Sequence, residues 1–225
     1  MKTVPLYVVV VIGLASACSS NVDEPWDLDH DRIIAVRSAP PRIPAGQTAQ
    51  LDVLVGHKGG PVSVQDPDRA AVVSPRSLAS AVAGSVVTAP DERALAMARA
   101  ELALPDGAPV PLVVSISIAG FAATKTVWLG ESGDNPTLVD LRIAGGLPGT
   151  SIVVPLDEDV PLSVSADDVV DTVNWLTSCG TMHDFDLSSA YLRVEPDDPQ
   201  QGELAVVLRD SRGGVAWNVW PIRAQ

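Results

Sequence analysis

Between residues 179 and 186 the chain reads Cys179-Gly180-Thr181-Met182-His183-Asp184-Phe185-Asp186, the one stretch where several metal-capable or nucleophilic side chains gather. A thiolate, a thioether and an imidazole together suit copper. A blue-copper site also needs a second imidazole and a further axial ligand, and here no Met follows Met182 while His30 and His57 lie far upstream. Zinc prefers four ligands of this class, of which Cys179, His183, Asp184 and Asp186 offer two or three. A Cys179–His183 pair could generate a thiolate nucleophile, but no surrounding signature accompanies it. The bland reading is a packed Cys179 and an exposed His183. The rival reading, a metal-dependent or hydrolytic enzyme centred on Cys179, His183 and Asp184, requires these side chains to converge in a pocket.

Other constellations thin out on inspection. Asp27-x-Asp29-x-Asp31 has the alternate-oxygen spacing that opens an EF-hand loop, but the Gly and Glu such a loop needs are replaced by Arg32 and Ser38. Acidic groups recur at Asp157-Glu158-Asp159, Asp167-Asp168 and Glu195-Asp197-Asp198. Solvated loops are the plain reading of these, with calcium between loops as the alternative. G-x-S-x-G, H-E-x-x-H and P-loop patterns are missing, and Gly130-Glu131-Ser132-Gly133 is one residue short of a nucleophile elbow. Three histidines in 225 residues supply little acid–base chemistry. Trp217 and Trp220 fall on opposite faces of one strand, so one packs inside and the other is a candidate contact for a sugar or a protein. The expectation is a non-enzymatic chain with no catalytic residue and no cofactor.

Charge and cysteine usage narrow the partners. A formal net charge of −13 opposes binding to nucleic acid, whose phosphates call for Lys and Arg. It favours solubility. Two cysteines, Cys18 and Cys179, exclude a disulfide scaffold if the first is modified.

The elements that would position these residues are β-strands. Ala49, Leu51, Val53 and Val55 alternate with Gln50 and Asp52, and Val114, Ile116 and Ile118 alternate with serines. Residues 91–104 break the pattern with strong helix formers between Pro90 and Pro105, which predicts a short helix whose Met and Leu face the core. Residues 131–136 read as a linker. A second β series then runs to the end, closing on a hairpin in which Leu204, Val206 and Leu208 pair with a return strand through Val215, Trp217 and Val219. Short strands punctuated by turns, twice over, predict an all-β chain of two sandwiches in series, 32–130 and 137–225. Their exposed loops, 177–188 and 210–214 above all, are the expected contacts for a protein or polysaccharide ligand.

The first eighteen residues indicate location. Lys2 precedes an apolar run from Val4 to Leu14 of about eleven residues, while a bilayer-spanning helix needs roughly 20. Ala15-Ser16-Ala17-Cys18 then resembles the lipobox of bacterial lipoproteins, with Ala15 standing where that family usually has Leu. The resemblance implies a signal peptide over 1–17, cleavage before Cys18 and acyl chains (palmitate among them) on Cys18. Plain secretion through an A-x-A site is the alternative. Ser19 in place of Asp implies release to the outer membrane, on its periplasmic or surface face. Residues 18–31, acidic and polar, would be a tether.

Residues 137–225 resemble an Ig-like or PKD-like domain. Trp175 falls where such domains bury a tryptophan on the third strand, although the inter-sheet cysteine pair of antibody domains is missing. Residues 32–130 resemble one more loosely. The whole is similar to tandem Ig-like outer-membrane lipoproteins of Gram-negative bacteria, of the myxobacterial kind. That resemblance implies fold and location and carries no catalytic residue.

Overall fold

The computed structural model describes residues 24–167, 169–170 and 172–225. The predicted signal peptide, Cys18 and residues 19–23 of the predicted tether lie outside these residues. Two β-sandwiches follow one another along the chain. The first contains β1 (Arg32–Ala39), β2 (Arg42–Ile43), β3 (Thr48–His57), β4 (Gly60–Gln65) and β5 (Arg69–Ser74). It is completed by β6 (Val82–Ala83), β7 (Val86–Thr88), helix α1 (Glu92–Glu101), β8 (Val110–Ile118) and β9 (Phe121–Leu129). One sheet has the order β1-β3-β7-β6, with β4 also paired to β3, and the other β2-β9-β8-β5.

The second sandwich contains β10 (Leu138–Ile143), β11 (Ile152–Val154), β12 (Asp159–Ala166) and β13 (Thr172–Thr177). Then come β14 (Thr181–His183), β15 (Ser189–Arg193), β16 (Gln201–Arg209) and β17 (Val215–Ala224). Its sheets are β10-β12-β15-β14 and β11-β17-β16-β13. In immunoglobulin lettering these are A-B-E-D and A′-G-F-C, where the first strand crosses from one sheet to pair in parallel with the last. The first sandwich repeats the scheme through its parallel β2–β9 pair and adds the β3–β4 hairpin. Both halves are Ig-like.

Alternation builds the cores. Leu51, Val53 and Val55 of β3 meet Leu112, Val114 and Ile116 of β8 inside the first sandwich. Leu162, Val164, Leu192, Leu204 and Val206 surround Trp175 inside the second. Trp175 is fully buried on the third strand, and its indole N–H donates to the Leu187 carbonyl at 3.1 Å, which satisfies the one polar atom of a large apolar side chain.

The predicted helix is three residues shorter at its C-terminal end and one at its N-terminal end. Asp91 caps it by accepting from the Ala94 N–H at 2.9 Å. Leu95 enters the core as expected, with Ala98 beside it, but Met97 is 60% exposed, because it points away from the 95–98 face.

One further expectation is corrected. Residues 24–31 are no solvated tether. Asp27 bridges Thr177 in parallel, the Leu28 N–H donates to the Thr177 carbonyl at 2.9 Å, and Thr177 donates to the Trp26 carbonyl at 2.9 Å. This segment extends the free edge of β13, and Leu28 is only 2% exposed. Residues 131–136 connect the sandwiches, and they are hydrogen-bonded to both. Asn135 donates to the Ser38 carbonyl at 2.9 Å and accepts from Val215 at 2.8 Å, Arg42 donates to the Asp134 carbonyl at 2.8 Å, and Arg212 pairs with Glu131. Among the described residues no helix is long and apolar enough to cross a membrane.

Candidate functional site at the seam

The sandwiches are not merely consecutive. The outer face of β1, β3 and β4 lies against the outer face of β13, β16 and β17. Ala35, Leu54, Leu176, Ala205, Val207 and Val215 form a third apolar cluster here, separate from the two cores, and Leu28 is wedged into it. β16 is therefore buried on both faces from Leu204 to Leu208. Removing two apolar faces from water drives this association, and the strands supply it because both parities are apolar.

Polar groups ring the cluster, and two of them, Arg209 and Lys125, are cations donating to backbone carbonyls across the junction. Arg209 donates to the Ile34 carbonyl at 2.8 Å and to Asn174 Oδ1 at 2.6 Å. Lys125 donates to the Gly213 carbonyl at 2.5 Å. Glu203 accepts from the Val62 N–H at 2.5 Å. Arg37 lies over the Trp217 ring with its guanidinium carbon 4.0 Å from the centroid, and its Nη2 is 2.5 Å from Asp52 Oδ2. Burial pushes the Lys125 ammonium down to about 8; the Asp210 carboxylate opposes the shift and the Arg209 guanidinium adds to it.

At one mouth of the seam a groove of about 810 Å³ opens. The β3–β4 turn (Gly59, Gly60, Pro61) overhangs it, and its floor is the uncovered end of the sheet at Val153, Glu203, Pro221 and Arg223. Domain junctions with an apolar floor and a few polar groups are where ligands of ordinary size bind.

The residues singled out by chemistry are placed as follows. Cys179 is fully buried in the second core, its N–H donating to the Thr177 hydroxyl at 3.0 Å. Burial raises its thiol to about 11, which leaves it a protonated, unreactive packing group at neutral pH. His183, Asp184 and Asp186 are exposed, so they do not converge on Cys179. The pocket that the enzyme and metal readings require is not formed by these residues. Among the described residues no group of three or more His, Cys, Asp or Glu side chains is arranged to hold a metal ion.

Trp220 is the core tryptophan of its strand, at 7% exposure. Trp217 is the outward one, but the first sandwich covers it under Arg37, so neither offers an open platform. The 210–214 loop is likewise spent on the junction, with Gly213 held by Lys125 and Asp210 3.9 Å from Arg42. Of the triad at 27–31, Asp29 Oδ1 accepts from the Gly59 N–H at 2.5 Å and Asp31 Oδ1 from the Lys58 N–H at 3.1 Å. These carboxylates bind the segment to the β3–β4 turn. The acidic loop residues Asp157, Asp159 and Glu195 surround Arg193 at 3.7, 3.3 and 3.4 Å.

Sequence reasoning missed the seam. Its signal was present in Leu204-Ala205-Val206-Val207-Leu208, where a strand of an antiparallel sheet carries no polar residue at either parity.

No protein-family model and no curated protein matches the chain. Solved structures similar to it include a chimeric titin Z1Z2 tandem, 13% identical over 87% of this chain and 100% of that one, with a TM-score of 0.31. The fibronectin(III)-like modules of CbhA from Clostridium thermocellum are 13% identical over 85% and 94%, at 0.32. The tandem Ig repeats of Dlar are 11% identical over 85% and 97%, at 0.31. The Ig-like assignment of each half rests on its own strand order.

Proposed function

We propose that this chain is a lipid-anchored, non-enzymatic binding or structural module of the Gram-negative outer membrane, attached through acylated Cys18. The observation that carries the reading is the docking of residues 24–31. Trp26, Asp27 and Leu28 bond to β13 of the second sandwich before the chain enters the first, so a pull on the N-terminus acts on both halves together. Two sandwiches joined face to face, with the attachment end set into their junction, make a stiff body held close to its anchor. Two acyl chains at Cys18 would bind it firmly, since each buried CH₂ contributes about 0.8 kcal/mol and one chain alone is marginal. The ligand of such a module is a protein or polysaccharide.

The test is fractionation of a Gram-negative host expressing the full chain or Cys18→Ser. The reading expects the unaltered protein in the outer-membrane fraction and Cys18→Ser out of it. Equal partition of the two into the soluble fraction would overturn the anchor.

A further inference from the structure

The first sandwich occupies the outer face of β17, β16 and β13, which leaves β10-β12-β15-β14 as the open sheet of the second. On that face the strand register sets His183, Tyr191 and Pro161 in one row across three adjacent strands. The His183 and Tyr191 rings stack, with centroids 5.0 Å apart and planes 24° from parallel. A concavity of about 410 Å³ opens beside the row, lined by Arg142, Pro161, Ser163, Asp184, Ser189 and Tyr191. His183 is not part of that lining. One face of the Tyr191 ring is thus braced by His183 while the ring also walls the concavity, and Tyr191 is 38% exposed.

The chemistry around the ring is mixed in a particular way. An apolar ring and the Pro161 ring stand beside two hydroxyls, one guanidinium and one carboxylate. Among the described residues the side chains of Arg142, Ser163, Asp184 and Ser189 have no hydrogen-bond or ion-pair partner. A pyranose presents the complementary surface: a C–H face that packs on an aromatic ring and hydroxyls at its rim that both donate and accept. The rim charges balance, one cation against one anion; the next row on the same face holds Asp159 beside Arg193, and Asp157 and Glu195 of the flanking loops also reach that arginine. That field, on a chain of net charge −13, repels uronates and phosphorylated glycans.

We propose that the Tyr191 concavity is a contact site for a neutral saccharide, with Tyr191 as the stacking platform and Arg142 and Asp184 as the hydroxyl-binding rim. This deepens the reading of the chain as a binding module and rests on it.

The test is isothermal titration of the detergent-extracted mature protein with four hexasaccharides: α1,4-glucose, β1,4-glucose, β1,4-N-acetylglucosamine and, as the anionic comparison, galacturonate. The expected result is binding of at least one neutral hexamer and none of hexagalacturonate. Tyr191→Ala should weaken the binding about tenfold, the equivalent of one stacking contact, with the melting temperature unchanged. Tyr191→Phe, which keeps the ring, should retain most of the affinity. The proposal is overturned if no neutral hexamer binds, if Tyr191→Ala binds as the unaltered protein does, or if hexagalacturonate binds equally. Any of these outcomes leaves the anchor untouched, because that is read at Cys18.

Discussion

Arg37 of the first sandwich covers the indole of Trp217 of the second, 4.0 Å above its centroid, while pairing with Asp52 on its own strand's neighbour. The contact joins the halves through a cation on a ring face, partly withdrawn from water. Such contacts contribute about 0.5–2 kcal/mol, rising with desolvation. A double-mutant cycle on unfolding of the full chain, with Arg37→Ala and Trp217→Ala, should give a coupling energy of about 1 kcal/mol. Additive effects would mean that the two side chains do not meet in solution.

Leu28 is the apolar residue of the N-terminal segment that enters the seam, at 2% exposure. Leu28→Ala should cost about 2–5 kcal/mol, as buried leucines do. The loss should fall on the junction. By calorimetry, one cooperative transition should broaden or separate into two as the halves uncouple. A substitution that leaves the transition unchanged would return residues 24–31 to a solvated tether.

Lys125 makes stability depend on alkaline pH. Its folded value of about 8 lies below the ordinary 10.5, so between these values the unfolded chain binds more protons and stability rises with pH. Below pH 8 the full penalty for burying the ammonium applies, about 3 kcal/mol at 1.36 kcal/mol per pH unit. Cys179 acts in the opposite sense. Its folded value of about 11 stabilises the protein below the ordinary 9, and that contribution is lost as pH rises through 11. Comparing urea unfolding of the unaltered chain and Lys125→Met from pH 7 to 10.5 removes the cysteine contribution. The difference should shrink or reverse toward the unaltered chain as pH rises. A pH-independent difference would show that Lys125 is solvated.

The β-architecture was legible because most strands are buried on one face only. In β8, Val114, Ile116 and Ile118 alternate with serine and valine, and the period of two identifies strand and inward face together. Helix α1 was legible from its proline borders and helix formers, and Trp175 from its place in the strand series. The seam was not, since face-to-face packing depends on which strands present apolar side chains at both parities. In β16 that reads as a stronger strand before it reads as an interface. Residues 24–31 misled for a related reason. Their carboxylates looked like solvent-facing charge, whereas Asp29 and Asp31 accept N–H groups of the turn at residues 58–59. Their composition does not disclose a partner 30 residues away. The Cys179–Asp186 stretch shows the converse: neighbours in sequence alternate across a strand, so Met182 goes inward and His183 outward.

The anchor is the central claim, and intact-mass spectrometry of the protein extracted from membranes tests it most directly. The account predicts a mature chain beginning at Cys18 whose mass exceeds the polypeptide by a diacylglyceryl group, with or without a further N-terminal acyl chain. An unmodified Cys18 at the N-terminus, or a chain still carrying Met1, would contradict it.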